Sequence, residues 1–277
     1  MIPAAFDYQR ASSVDEAVGL LGEHGDDAKL LAGGHSLLPL MRLRLAAPAV
    51  LIDIGRLDDL SYVRSDGGQV LIGALTRHQD LATSDELRDQ VPLLAHIAGQ
   101  IGDPQVRHRG TIGGSIAHGD PASDLPAALL ALRGTVVARG PGGEREIASD
   151  EMFTGFLETA LAPDEVLTEI RVPAVGAAPW GFQKFVRRAQ DWAIVGCATV
   201  LGNGTSAEPG VGLVHMGATP LRAPGVEDAL RSGASPRDAA ARADEGTDPP
   251  DDLNASAEYR RHLAQVLVRR ALESTQP

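Results

Sequence analysis

Cysteine is almost missing from this chain: one of its 277 residues, Cys197, carries a thiol. One thiol closes no internal disulfide, and an iron–sulfur cluster takes four ligands that are mostly cysteines. Any electron that passes through this chain must therefore travel on an organic group. Cys197 lies in the apolar, strand-like run Ile194-Val195-Gly196-Cys197-Ala198-Thr199-Val200, where cysteine acts as a small buried hydrophobe. Basic charge is also scarce. The net charge is −12 and no lysine- or arginine-rich stripe offsets it, which argues against a nucleic-acid partner. No apolar run approaches the ~18 residues that span a bilayer. The start, Met1 to Tyr8, has neither a basic n-region nor a signal-peptide h-region, so the expected location is cytoplasmic.

Several chemical motifs are lacking as well. There is no Gly-x-Ser-x-Gly elbow and no Gly-x-Gly-x-x-Gly, and no glycine loop ends in the Lys-Ser/Thr of a nucleotide-phosphate loop. No nucleophile constellation emerges, and a standard dinucleotide-binding sheet and a nucleoside triphosphatase are both disfavoured. His118, Asp120 and Asp124 are close in sequence, but no second histidine joins them at ligand spacing and Pro121 fixes a turn between the acids. Helix capping or hydrogen bonding to a cofactor suits them better than a metal. No metal ligand set and no catalytic side chain is assigned.

What is present is an ordinary soluble composition, 43% hydrophobic and 22% charged, long enough for two or three small lobes. The N-terminal part reads as a βαβ unit. Ser13 and Glu16 form a capping box, Gly25 stops the helix, and Lys29 to Ala32 and Val50 to Ile54 are strands. A second lobe, 58–174, carries a strand at 69–74, a helix at 91–101 and a helix at 121–132, with further strands at 134–138 and 165–172. The region 175–277 changes character, with three antiparallel strands over 182–186, 193–201 and 211–217, then helices from about Val226, Pro236 and Ser256. Strands followed by helices describe a sheet covered on one face, so the fold class is α+β.

Two glycine runs stand out. One is Ala32-Gly33-Gly34-His35-Ser36; the other is Thr111-Ile112-Gly113-Gly114-Ser115. Glycine doublets usually make turns. Glycine also lets the backbone come close to a ligand with several N–H groups aimed at one place. Two such nests facing each other suit a pyrophosphate, with the N–H groups of 33–36 on one phosphate and those of 112–115 on the other. The hydroxyls of Ser36, Thr111 and Ser115 can add to them. Trp192, one of two tryptophans, follows Arg187-Arg188-Ala189-Gln190-Asp191 between two strands. It is either a half-buried surface residue or an aromatic face packed on a planar ring.

Together the two glycine runs, the continuation His118 to Pro126 and the segment Arg187 to Ala193 resemble the FAD-binding medium subunit of molybdenum hydroxylases, in its aerobic carbon monoxide dehydrogenase branch. The xanthine dehydrogenase flavin domain is a more distant relative. The likeness spans nearly the whole chain. It implies a two-lobed FAD-binding domain of the vanillyl-alcohol-oxidase type, lobe 1 over 1–57 and lobe 2 over 58–174, followed by a flavoprotein C-terminal domain over 175–277. It implies that both glycine runs clasp the FAD pyrophosphate. It further implies that Asp124 meets ribitol or ribose hydroxyls, that Lys184 and the main chain at Leu167 lie near the flavin, and that Trp192 stands where relatives place a tyrosine beside the ring. Ile101 falls where xanthine dehydrogenase has a ring-covering aromatic, which speaks against NAD as acceptor. The implied function is electron transfer through FAD. Electrons come from a [2Fe-2S] small subunit, substrate is oxidised on a molybdopterin large subunit, and a quinone or other acceptor takes the electrons, all within a heterohexamer. A self-contained flavin oxidoreductase of the same fold and a cofactor-free scaffold are the alternatives.

Overall fold

The computed structural model describes residues 2–202 and 208–275. Met1 and residues 276–277, the two ends of the expected regions, lie outside them. Lobe 1 is a parallel three-stranded sheet of β1 (Asp7–Arg10), β2 (Ala28–Leu31) and β3 (Val50–Asp53), with β3 in the middle. Helix α1 (Val14–His24) makes the crossover and buries Ala17, Val18 and Leu21 on the sheet. Ser13 Oγ accepts the Glu16 N–H, and Gly25 ends the helix at φ 54°. The return contact of the expected capping box shifts by one residue. The Glu16 carboxylate takes the Ser12 N–H at 2.7 Å and the Ser12 hydroxyl as well, two donors where the Ser13 backbone offers one. Helix α2 (Leu37–Leu43) then leads from the first glycine run towards β3.

Lobe 2 is an antiparallel sheet covered by short helices. Strands β4 (Val63–Asp66) and β5 (Gln69–Gly73) are followed by α3 (His78–Thr83), α4 (Asp85–Gln90), α5 (Pro92–Gly99), α6 (Pro104–Arg107), α7 (Ile112–His118) and α8 (Asp124–Ala131). Strands β6 (Thr135–Gly140) and β7 (Gly143–Ala148) follow, then α9 (Ser149–Met152), a two-stranded ribbon of β8 (Phe153–Gly155) and β9 (Glu158–Thr159), and β10 (Val166–Pro173). The sheet order is β4-β5-β10-β6-β7. The central strand β10 is buried along most of its length, and it carries the buried polar residues Thr168 and Glu169 among its apolar ones. Its Val166 joins the lobe 1 core, while Leu167, Ile170 and Val172 join the lobe 2 core, so one strand ties the lobes together. The helix expected over 121–132 begins three residues later. Asp120 holds 121–123 in a turn, accepting the Ala122 N–H on Oδ1 (2.8 Å) and the Ser123 N–H on its carbonyl (3.0 Å).

The third sheet runs β11 (Trp180–Phe185), β12 (Val195–Val200), β13 (Gly210–Val214) and β14 (Leu221–Arg222), antiparallel and in that order. It has four strands where three were expected; the last is two residues long, too short for any periodic signal. Helices α10 (Pro224–Arg231), α11 (Pro236–Ala240) and α12 (Ala257–Glu273) form its second core with Cys197, Leu213 and Val268. Cys197 is fully buried and desolvation pushes its thiol up to about 12, which fits an inert core position. Helix α8 lies on the other face. A Cβ at Gly212 would stand 2.0 Å from the Ala127 carbonyl oxygen, so glycine there is what lets α8, with Asp124 at its start, seat on the sheet. Among the described residues, no helix is long and apolar enough to cross a membrane.

Candidate cofactor cleft

A cleft of about 770 Å³ opens between the lobes and reaches the third sheet, within the usual size of a ligand site. Thirteen of the fourteen residues singled out above line it: Ala32 to Ser36, Thr111, Gly113, Gly114, Ser115, Asp124, Leu167, Lys184 and Trp192. The exception is Ile112, whose side chain is 1% exposed and packs in the lobe 2 core.

The two glycine runs meet directly but differ in kind. The first is a true loop. Gly34 has φ 78°, and the N–H groups of Gly33, Gly34, His35 and Ser36 have no protein acceptor among the described residues. A Cβ at Gly33 would stand 2.2 Å from the Arg109 carbonyl oxygen and 3.0 Å from Gly110 Cα, so this loop rests on the backbone that leads into the second run. The second run is not a loop but the first turn of α7. Thr111 Oγ1 caps it by accepting the Gly114 N–H at 3.1 Å. The Ile112 and Gly113 N–H groups donate to the Thr76 and Ala74 carbonyls (3.1 and 2.9 Å), and that of Ser115 to the Thr111 carbonyl (3.1 Å). All four amides expected to face a phosphate are therefore engaged inside the protein. What this run presents to the cleft is the helix start, the bare glycine Cα atoms and the Ser115 side chain.

Helix α8 and strand β11 supply an ion pair. Lys184 Nζ lies 2.7 Å from Asp124 Oδ2, with both side chains largely buried. Desolvation raises the Asp124 carboxyl, and the Lys184 ammonium only partly pulls it back. Asp124 Oδ1 is buried with no hydrogen-bond partner. The chain contains only two lysines, Lys29 and Lys184, and both line this cleft. Trp192 is 66% exposed at the cleft, in the connection between β11 and β12. Among the described residues no group of three or more His, Cys, Asp or Glu is placed to hold a metal.

Sequence reasoning missed Lys29 and His78. The His78 ring lines the cleft and lies against Gly110, where a Cβ would come within 2.6 Å of Nε2. Its Nδ1 is buried without a partner. Desolvation first, then the charges of His35, Arg107 and Arg77, push the imidazole down to about 4 from 6.5. The unfolded chain therefore binds this proton more readily than the folded one. Stability from the neutral ring is complete above 6.5 and is lost as the pH falls towards 4. Between pH 6.5 and 4.5, wild type should lose about 2 kcal/mol more unfolding free energy than His78→Phe. Denaturant titrations at the two pH values check this; equal losses would mean the ring is not desolvated.

The residues fit FAD. Unengaged amides suit a diphosphate, an orphaned buried carboxylate oxygen suits a sugar or ribityl hydroxyl, and an exposed indole suits a flat ring. Fold and cleft thus define a two-lobed dinucleotide-cofactor protein with an appended α+β region. Residues 4–175 match the FAD binding domain in molybdopterin dehydrogenase, and residues 180–275 match the CO dehydrogenase flavoprotein C-terminal domain. The carbon monoxide dehydrogenase medium chain of Hydrogenophaga pseudoflava is 44% identical over 99% of this chain and 98% of that protein. The 6-hydroxypseudooxynicotine dehydrogenase complex subunit alpha of Paenarthrobacter nicotinovorans is 39% identical over 98% of this chain and 95% of its own length. The solved structure of the Hydrogenophaga pseudoflava carbon monoxide dehydrogenase lacking the Mo-pyranopterin moiety superposes with a TM-score of 0.94 at 45% identity, covering 99% and 98% of the two chains. The chain belongs to the family of FAD-binding medium subunits of molybdopterin dehydrogenases. It is an FAD-carrying oxidoreductase subunit.

Proposed function

We propose that this chain is the electron-transfer subunit of a carbon monoxide dehydrogenase-like molybdenum hydroxylase in the cytoplasm, assembled with an iron–sulfur small subunit and a molybdopterin large subunit as a heterohexamer. Substrate oxidation belongs to the large subunit and the electrons arrive through the small one. The three-part division at 57/58 and 174/175 goes with this reading, supported by one larger sheet in each part. One observation carries it: the unengaged amides of 33–36 and the orphaned Asp124 Oδ1 open on the same cleft.

Bound there, FAD supplies a ring able to take up and release two electrons; the protein supplies binding, orientation and electrostatics. The amides of Gly33 to Ser36 hold the diphosphate, helped by the Ser115 hydroxyl. Asp124 accepts from a ribityl or ribose hydroxyl, and the Lys184 ammonium partly offsets the rise that burial imposes on that carboxyl. The Leu167 main chain and Trp192 flank the ring. No side chain is assigned proton transfer, and Ile101 at the cleft points to a quinone or other non-nicotinamide acceptor.

The purified full chain, incubated with FAD and desalted, should be yellow and show oxidised-flavin absorption at close to stoichiometric occupancy. A chain with native circular dichroism that stays colourless would overturn the reading.

A further inference from the structure

The chain just after Trp192 is tied down from three directions, although Trp192 itself is mostly exposed. The Ala193 side chain is 2% exposed and packs between Ala127 of α8 and Val214 of β13. The Ala193 carbonyl accepts from His215 Nδ1 at 2.9 Å. The Ile194 carbonyl accepts from Arg260 Nη1, which also lies 3.2 Å from that same Nδ1. Arg260 is fully buried in α12, and its Nη2 donates to Asp252 Oδ2 at 2.8 Å. His215 holds a left-handed backbone at φ 60°, and its N–H donates to the Pro121 carbonyl at 2.7 Å. A non-glycine residue in that conformation is uncommon and costs free energy, so its surroundings must over-determine it.

We propose that His215 and Arg260 are positioning residues for Trp192: they fix the backbone at 193–194 so that the indole faces the flavin ring. Through them α12 and the turn after β13 set the ring's environment without touching the cofactor. The inference rests on the stacking read above. It explains why a buried arginine and a left-handed histidine hold two carbonyls next to a residue that is itself 66% exposed. A carbonyl can only accept, so these two side chains supply donors that a loop in this position otherwise lacks.

The test is flavin emission from the FAD-loaded full chain, read beside FAD affinity. Trp192→Ala should raise emission severalfold by removing a stacked quencher. His215→Asn keeps a residue type that tolerates positive φ. It should raise emission too while holding affinity within about twofold, and in the Trp192→Ala background it should change emission no further. Asp252→Asn, which loosens Arg260 from a partly exposed partner, should act in the same direction. Wild-type emission from a folded His215→Asn chain, or an effect that adds fully to Trp192→Ala, overturns the positioning role alone. Unchanged emission in Trp192→Ala sinks the stacking reading and this inference with it.

Discussion

A chain with alanine at Gly33 is expected to lose its FAD. The added Cβ would stand 2.2 Å from the Arg109 carbonyl oxygen, 2.9 Å from its carbon and 3.0 Å from Gly110 Cα. These are backbone atoms and cannot swing aside. The segment they belong to is itself held: the Gly110 N–H donates to the Val106 carbonyl at 2.7 Å, the Gly110 carbonyl accepts the His78 N–H at 3.0 Å, and Arg77 donates to the Arg109 carbonyl. The loop must therefore move, and with it the amide set of 33–36 and the seating of lobe 1 on lobe 2. Overpacking of this kind costs about 1–3 kcal/mol of stability. The expected loss of FAD affinity is at least ~100-fold, about 2.7 kcal/mol. Gly114→Ala is the control. Its Cβ meets only Thr111 Oγ1, at 2.8 Å, so it should weaken one helix cap by about 1 kcal/mol and shift affinity less than about tenfold. Fluorescence titration with FAD and thermal melts of both variants decide the matter. Wild-type affinity in Gly33→Ala would remove the first glycine run from the diphosphate site.

The contrast between the two glycine runs shows where reading from sequence succeeds and fails. Elements with local signals are legible. Ser13 and Gly25 bracket α1, the apolar run at Val50 announces β3, and Ser256 caps α12. The second glycine run looks like the first in composition, yet two of its amides are taken by Thr76 and Ala74, more than thirty residues earlier. Nothing within the run reveals that, because the partner carbonyls are placed by the tertiary fold. Thr111 did carry a usable sign: threonine three residues before Gly114 is a cap pattern, and the helix it starts has too little apolar periodicity to confirm it. Ile112 belongs to the core for the same reason, since its neighbour Gly113 lies against Ala74. Lys29 was findable. In a chain with two lysines, the positions where arginine has not taken over deserve suspicion, because a compact ammonium fits where a planar guanidinium does not. His78 had no such sign; one histidine in a helix start is indistinguishable from any other until burial is known.

Lys184→Met is expected to be the most destabilising single change in the cleft. Lys184 and Asp124 are 13% and 4% exposed and 2.7 Å apart, so removing the ammonium leaves a carboxylate without its counter-charge in a desolvated site. Breaking a buried pair this way costs about 3–5 kcal/mol. The sign of the pH dependence follows from what remains. Burial already raises the Asp124 carboxyl above its ordinary 3.8, and Lys184 is what opposes that rise. Without Lys184 the carboxyl rises further, and the folded chain binds a proton that the unfolded chain releases. Stability of the variant relative to wild type therefore improves as the pH falls from 8 towards 5, as the folded state neutralises the stranded charge. Asp124→Asn in the Lys184→Met background should recover much of the loss at pH 8, since the pair is coupled and single changes do not add. The same double variant should still bind FAD poorly, because it lacks the charged acceptor and the ammonium together. Urea unfolding at pH 8 and pH 5 checks the stability claims. A loss that is the same at both pH values would mean that Asp124 is neutral in the folded wild type, so that Lys184 acts by packing and not by charge.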